Sequence, residues 1–362
     1  MAHDQTTPAR MGNTPADYAR FGIEAGAIKP QEDGLRTDGG PGSYEWWYFD
    51  AHLDDGAKLV VVFFTKEFTA IGSPLAPMIR IDLTQPDGTT VEKIAQFGPD
   101  TFSASTDTCD VRIGENVFAG DLHTYTIRAK ADDLEVDVTL TGTVPAWRPE
   151  SGHWLFGTAG EQIFAWLPSV PEGRVEAKYS LAGKSSTSTG VGYHDHNWGN
   201  TLMPKLMHHW YWARGSAGPY SVIASYITAE KQFGYSELPV FMLARDGKLI
   251  ADDKSKVTFE ELGRYTDTDT GKPVANVTRY TYTEGSERYV VTYTRHSDLT
   301  AVKFAEEMTG AKKIAAKLVG FDGAYLRFVG EVRIEHYVGD HLEESNVDDA
   351  LWELMYFGTA RP

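Results

Sequence analysis

From Ser43 onward the chain is a series of short runs in which apolar and polar residues alternate, punctuated by Gly, Pro and Asp turns. A period of two marks a strand with one face in a core and the other in water. Tyr44, Trp46 and Tyr48 alternate with Glu45, Trp47 and Phe49, so this strand carries aromatic rings on both faces. Asp54-Asp55-Gly56 reads as a turn and Lys58 to Phe64 as an apolar return strand, together predicting a hairpin. Met78 to Leu83, closed by Pro86-Asp87-Gly88, and the pair Leu122 to Ala129 and Leu134 to Thr141 continue the pattern. Further strands are predicted at Tyr220 to Ala229, Leu238 to Ala244, Lys256 to Glu261, Thr278 to Glu284, Glu287 to Arg295 and Gly323 to His336. Only Thr300 to Ala315 is rich in helix formers, interrupted by Gly310, and Asp348 to Tyr356 fits either a last strand or a short helix.

Two stretches break the alternation. Residues 1–40 are rich in Pro, Gly, Thr and charge without periodicity, which predicts an extended or disordered arm. Residues 144–173 combine Pro145, Pro149, Pro168 and Pro171 with Trp147, Trp154 and Trp166, a composition that suits a lid or pocket wall. A chain of 362 residues exceeds the size at which single cores stop growing. The expectation is an all-β protein of two barrel or sandwich domains, residues 41–200 and 201–362, behind the arm of residues 1–40.

The stretch from Gly190 to Gly215 holds four of the eleven histidines and three of the nine tryptophans. If Gly192 to Trp198 is extended, Tyr193, Asp195 and Asn197 share one face and His194, His196 and Trp198 the other. An aspartate flanked by aromatic rings and kept from water would hold its proton near neutral pH, the profile of a general acid. The competing role is bracing a turn through backbone N–H groups. Trp46, Trp47, Trp166, Trp198, Trp210 and Trp212 suit core packing or, equally, the walls of a pocket for an apolar ligand. Glu45 is either a structural acceptor or a polar group of such a pocket.

Composition narrows the partners. A net charge of −17 argues against nucleic acid and anionic membrane surfaces. The single cysteine, Cys109, allows no intramolecular disulfide and no C-x-x-C pair. The first residues lack an apolar signal-peptide core and no run approaches ~18 apolar residues, so the expectation is a cytoplasmic protein without stable membrane insertion. His194 and His196 with a carboxylate would be a plausible ligand set, but the tandem His208-His209 must diverge in an extended chain. No metal and no cofactor are expected. G-x-S-x-G, Walker A, G-x-G-x-x-G and H-E-x-x-H motifs are absent.

YHDHNWG from Tyr193, the W-x-W-x-R-G segment (Trp210, Trp212, Arg214, Gly215) and EWWYFDAHLDDG from Glu45 with KLVVVFF after it resemble signatures of the carotenoid hydratase/AttH superfamily. The segment from Phe164 through Trp166 and Pro168 to Glu176 is similar to that family's connector, so the resemblance runs from about residue 40 to the C-terminus. It implies two lipocalin-like (calycin-type) domains with a pocket near their junction. It also implies a lyase or isomerase that protonates a C=C bond of a hydrophobic isoprenoid or polyene, leading to hydration or cyclisation. Asp195 then matches the proton donor, with Tyr193 and His194 as catalytic neighbours. Glu45, Trp46, Trp47, Phe164, Trp166, Asn197, Trp198, Trp210 and Trp212 would contact substrate. Phe164 stands where the resemblance implies a histidine, which argues against water activation there and against a carotenoid. Fungal decalin-forming Diels-Alderases are more distantly similar, making a pericyclase the first alternative and a non-catalytic carrier the second.

Overall fold

The structure, a computed structural model, describes residues 7–304 and 322–358. It divides into two compact units, Met11–Leu202, and Met203–Pro362 together with Met1–Arg10. Each is built on an antiparallel sheet, so the all-β expectation holds.

In the first unit Thr90–Gln96, Met78–Thr84, Lys58–Phe64 and Tyr44–Leu53 lie side by side. Tyr44–Leu53 then pairs with Lys184–Gly199, which returns along Gln162–Leu181 to Leu134–Gly142 and Thr124–Ala131. The period-two pattern is what fills the interior: Phe49, Val61, Phe63, Ile79, Ile81, Phe118, Tyr125 and Val138 are all buried in one cluster. An ion pair between Lys93 and Asp133 (2.8 Å) links the edge strand to the distant turn after Ala131, as a curled, barrel-like sheet requires. Strand approach is tight at Gly190, where a Cβ would fall 2.2 Å from the His52 carbonyl oxygen, so only glycine fits.

The proline-punctuated stretch is ordered differently from a loop. Residues His153–Phe156 form a short strand, and Pro168 and Pro171 sit inside Gln162–Leu181, where register shifts between Leu167 and Val170 and between Val170 and Gly173 absorb them. Proline cannot donate to a ladder, so a sheet accommodates it at a bulge.

Residues 15–33 correct the expectation of an extended or disordered arm. Pro15–Phe21 is a helix with Thr14 as N-cap, reciprocal bonds between Thr14 and Asp17, and left-handed Gly22 at its end. Pro30–Asp33 adds a turn of 3-10 helix. Buried Arg148 fixes the segment by pairing with Glu32 (2.7 Å) and donating to the carbonyls of Glu24 (2.7 Å) and Ala27 (3.0 Å). Phe21 stacks on His153 at 3.6 Å. These anchors lie more than a hundred residues away in sequence, which is why local composition misreads the segment.

The second unit is a sheet of nine strands among the described residues, with Met207–Ala217 paired to both Tyr220–Ala229 and His341–Tyr356. Its core includes Tyr211, Phe241, Val291, Tyr293, Leu326, Phe328 and Trp352. Asp348–Tyr356 belongs to the last of these strands. Of the helix-rich stretch, Thr300–Lys303 ends the strand Glu287–Lys303, and residues 305–315 lie outside the described residues. No helix among the described residues is long and apolar enough to cross a membrane.

Candidate active site

Alternation along Lys184–Gly199 sorts residues 193–198 into two sets with different surroundings. Tyr193, Asp195 and Asn197 point away from the barrel interior, and the ladder places Asp195 beside Tyr48 and Asn197 between Trp46 and Trp166. Asp195 Oδ2 accepts hydrogen bonds from the Tyr193 hydroxyl (2.7 Å) and Trp166 Nε1 (2.8 Å), and Oδ1 accepts one from Asn197 Nδ2 (2.7 Å). Around this carboxyl lie aromatic rings: Trp166 packs against Trp147 and Trp154, each with centroids 6.1 Å away, and Phe164 bridges Trp154 and Trp46. Asp195 is only 8% exposed.

Burial pushes the Asp195 carboxyl above the ordinary carboxylate range; the bonds from Tyr193, Trp166 and Asn197 and the nearby His194 pull it back only in part. Oδ2 receives two donors and Oδ1 one, which leaves Oδ1 the freer oxygen for a proton. Once the proton leaves, three N–H and O–H groups already aimed at the carboxyl stabilise the anion.

His194, His196, Trp198, Glu45 and Trp47 occupy the other face, which corrects three expectations. His194 does not flank Asp195; it is fully buried, with Nδ1 2.8 Å from the Tyr48 carbonyl oxygen and Nε2 3.1 Å from Asp33 Oδ2. Glu45 is fully buried: it accepts from Arg36 N, Thr37 N and the Thr37 hydroxyl and faces His196 Nε2 at 2.8 Å. Trp47 is a core residue that stacks on His196 and donates to the Asp33 carbonyl. One strand step turns a side chain to the opposite face, so motif neighbours in sequence part company in space.

Trp198 borders a cavity of about 220 Å³ whose lining includes Arg20, Glu32, Arg36, Arg148, His153 and Trp166. This cavity is smaller than the roughly 300–1,000 Å³ of ligand pockets and is ringed by charge, and Asp195 does not reach it. The aromatic face around Asp195 is therefore the better candidate site.

Trp210 and Trp212 belong to the other unit. There Trp210 Nε1 donates to Glu353 Oε1 (3.0 Å) and the Tyr325 hydroxyl to Glu353 Oε2 (2.9 Å). Burial raises this carboxyl too, against the same two kinds of donor. Glu353 escaped the sequence reading because its two partners come from two other strands. Trp147 and Trp154 were visible as part of the aromatic, proline-rich stretch but carried no sign of where they pack.

A family model described as Diels-Alderase-like matches residues 40–269, well over half of the chain. The chain belongs to the Diels-Alderase-like family. It is 27% identical to the quinolone epoxide rearrangement protein asqO of Emericella nidulans, over 50% of this chain and 53% of that protein. It is 28% identical to a hydroxyneurosporene dehydrogenase of Chlorobaculum tepidum, over 48% of this chain and 54% of that one. The chain thus spans about half the length of these curated relatives. Among solved structures, CghA superposes with a TM-score of 0.61 at 16% identity, covering 94% of this chain and 96% of CghA, which supports a shared lipocalin-like architecture. The resemblance read from the YHDHNWG and EWWYFDAHLDDG motifs holds.

Proposed function

We propose that this protein is an enzyme of natural-product biosynthesis in which Asp195 acts as a general acid on a hydrophobic small molecule of isoprenoid or polyene type. The observation that carries the reading is the buried Asp195 carboxyl, pushed above the ordinary carboxylate range by desolvation and cradled by Tyr193, Trp166 and Asn197. Protonation of a C=C bond leaves a carbocation, and the faces of Trp46, Trp147, Trp154 and Trp166 stabilise such charge. Water then captures the cation and sheds a proton, giving hydration, or an internal C=C bond captures it and the new cation loses a proton, giving cyclisation. Protonation of an epoxide oxygen, the chemistry suggested by the name of the relative asqO, asks the same of the acid.

The family's name favours a second reading, in which the aromatic face folds a polyene into a reactive conformer and no proton is transferred. Turnover of a polyene and epoxide panel in D2O separates the two. Acid-catalysed hydration or cyclisation of a C=C bond places solvent deuterium on carbon in the product. A product free of deuterium from a polyene, formed at an unchanged rate by Asp195→Asn, would overturn the general-acid reading, and recovery of unchanged ligand would mark a carrier.

A further inference from the structure

The barrel interior of the first unit holds a polar cluster that the proposed chemistry does not use. Asp33, Glu45, Cys109, Tyr125, His194 and His196 are each at most 1% exposed, inside a cluster of apolar side chains. Buried polar atoms are normally paired, yet Asp33 Oδ1 and His196 Nδ1 have no hydrogen-bond partner, although they face one another at 3.5 Å.

Accounting for protons sharpens the anomaly. His194 Nδ1 faces the Tyr48 carbonyl, which only accepts, so that nitrogen carries the hydrogen and Nε2 presents a lone pair. His196 Nε2 faces Glu45, an anion fed by three other donors, so it carries the hydrogen and Nδ1 presents a lone pair. In their neutral forms both imidazoles therefore aim lone pairs at the Asp33 carboxylate, His194 Nε2 at Oδ2, which also accepts from the Tyr125 hydroxyl, and His196 Nδ1 at Oδ1. Lone pairs converging on one point in a dry interior call for a cation among them.

Cys109 completes the set. One ligand atom each from Asp33, Cys109 and His194 lies within 4.8 Å of the others, all three residues buried. Tetrahedral zinc with S, N and O ligands places donor atoms roughly 3.3–3.6 Å apart. The separation between Asp33 Oδ2 and His194 Nε2, 3.1 Å, is close to that spacing.

We propose that Asp33, Cys109 and His194 form a buried site for one zinc(II) ion. One carboxylate and one thiolate neutralise the ion, and the imidazoles stay neutral. The thiol proton is released to solvent on binding. A sulfur ligand with imidazole excludes magnesium and calcium, which take oxygen. The ion ties the N-terminal segment, through Asp33, to the strands of Cys109 and His194. Gly34 supports the placement: a Cβ there would lie 2.8 Å from the Thr106 backbone, so the chain beside Asp33 can lie this close only with glycine. The role is structural and independent of Asp195, which points to the opposite face.

The test is elemental analysis of the full chain produced in zinc-supplemented minimal medium and purified without chelator, with refolding in cobalt(II) as a second probe. We expect about one zinc per chain, and a thiolate-to-cobalt charge-transfer band that Cys109→Ala abolishes. Zinc-free protein that takes up no cobalt on refolding overturns the proposal, as does bound cobalt without the thiolate band or zinc retained in Cys109→Ala. If Cys109→Ala does not fold, the cobalt spectrum of the unaltered chain decides alone. Nitrogen-15 spectra showing His194 and His196 both doubly protonated in the folded protein overturn it too, because two imidazolium protons would then fill the place of the ion.

Discussion

At the scale of the residue, the proposed chemistry rests on one carboxyl, Asp195. Asp195→Asn keeps the shape of the side chain and its acceptor but has no proton to give, so turnover should fall about 10²- to 10⁴-fold with folding and ligand binding retained. Single-turnover rates beside a binding titration check this. Trp166→Phe removes one donor to the anion left after proton transfer; at about 1.5–3 kcal/mol for a bond to a charged group, the expected loss is roughly ten- to hundredfold in kcat. The acid form is the active one, so the rate should decline as pH rises through the raised Asp195 value. Stability follows the same sign. The folded protein holds this proton more tightly than the unfolded chain, so stability falls as pH climbs from the ordinary carboxylate range to the raised value and levels above it. Asp195→Asn should lack that decline, which denaturant titrations across pH will detect.

At the scale of the element, the strand Lys184–Gly199 is a two-sided device. One face delivers Asp195 to its aromatic surroundings and the other delivers His194 and His196 to the interior. The two faces were legible in the sequence, because alternation in an extended chain is enforced by backbone geometry. Which face did what was not, since Glu45 and Trp47 acquire their partners only when the N-terminal segment folds over the barrel. That segment depends on Arg148, whose guanidinium is buried against Glu32 and two carbonyls. Arg148→Ala leaves Glu32 as an unpaired buried charge and should cost about 3–5 kcal/mol. Chemical denaturation measures the loss, and limited proteolysis should show new cleavage between residues 13 and 40.

At the scale of the whole molecule, each unit has its own apolar core, so core truncations should be costly in both. Phe63→Ala in the first and Phe328→Ala in the second, both fully buried, should each destabilise by about 3–5 kcal/mol, read by denaturant unfolding. The alternating pattern by itself determined that these cores lie within β-sheets, because side chains with a period of two can be buried only by pleated strands. The motifs around Glu45, Trp166 and Tyr193 determined the family, and it was that resemblance, beside the aromatic neighbours, that singled out Asp195 as the expected acid. Tertiary structure decided the rest. It brought Trp166 and Asn197 onto the Asp195 carboxyl, turned His194 and Glu45 away from it, ordered residues 15–33, and set Asp33, Cys109 and His194 side by side. The physical reason is the range of the interactions. Periodicity and turn chemistry act between neighbours and are written locally, whereas the desolvation of a carboxyl and the convergence of lone pairs depend on groups from distant parts of the chain, which meet only when the sheet curls.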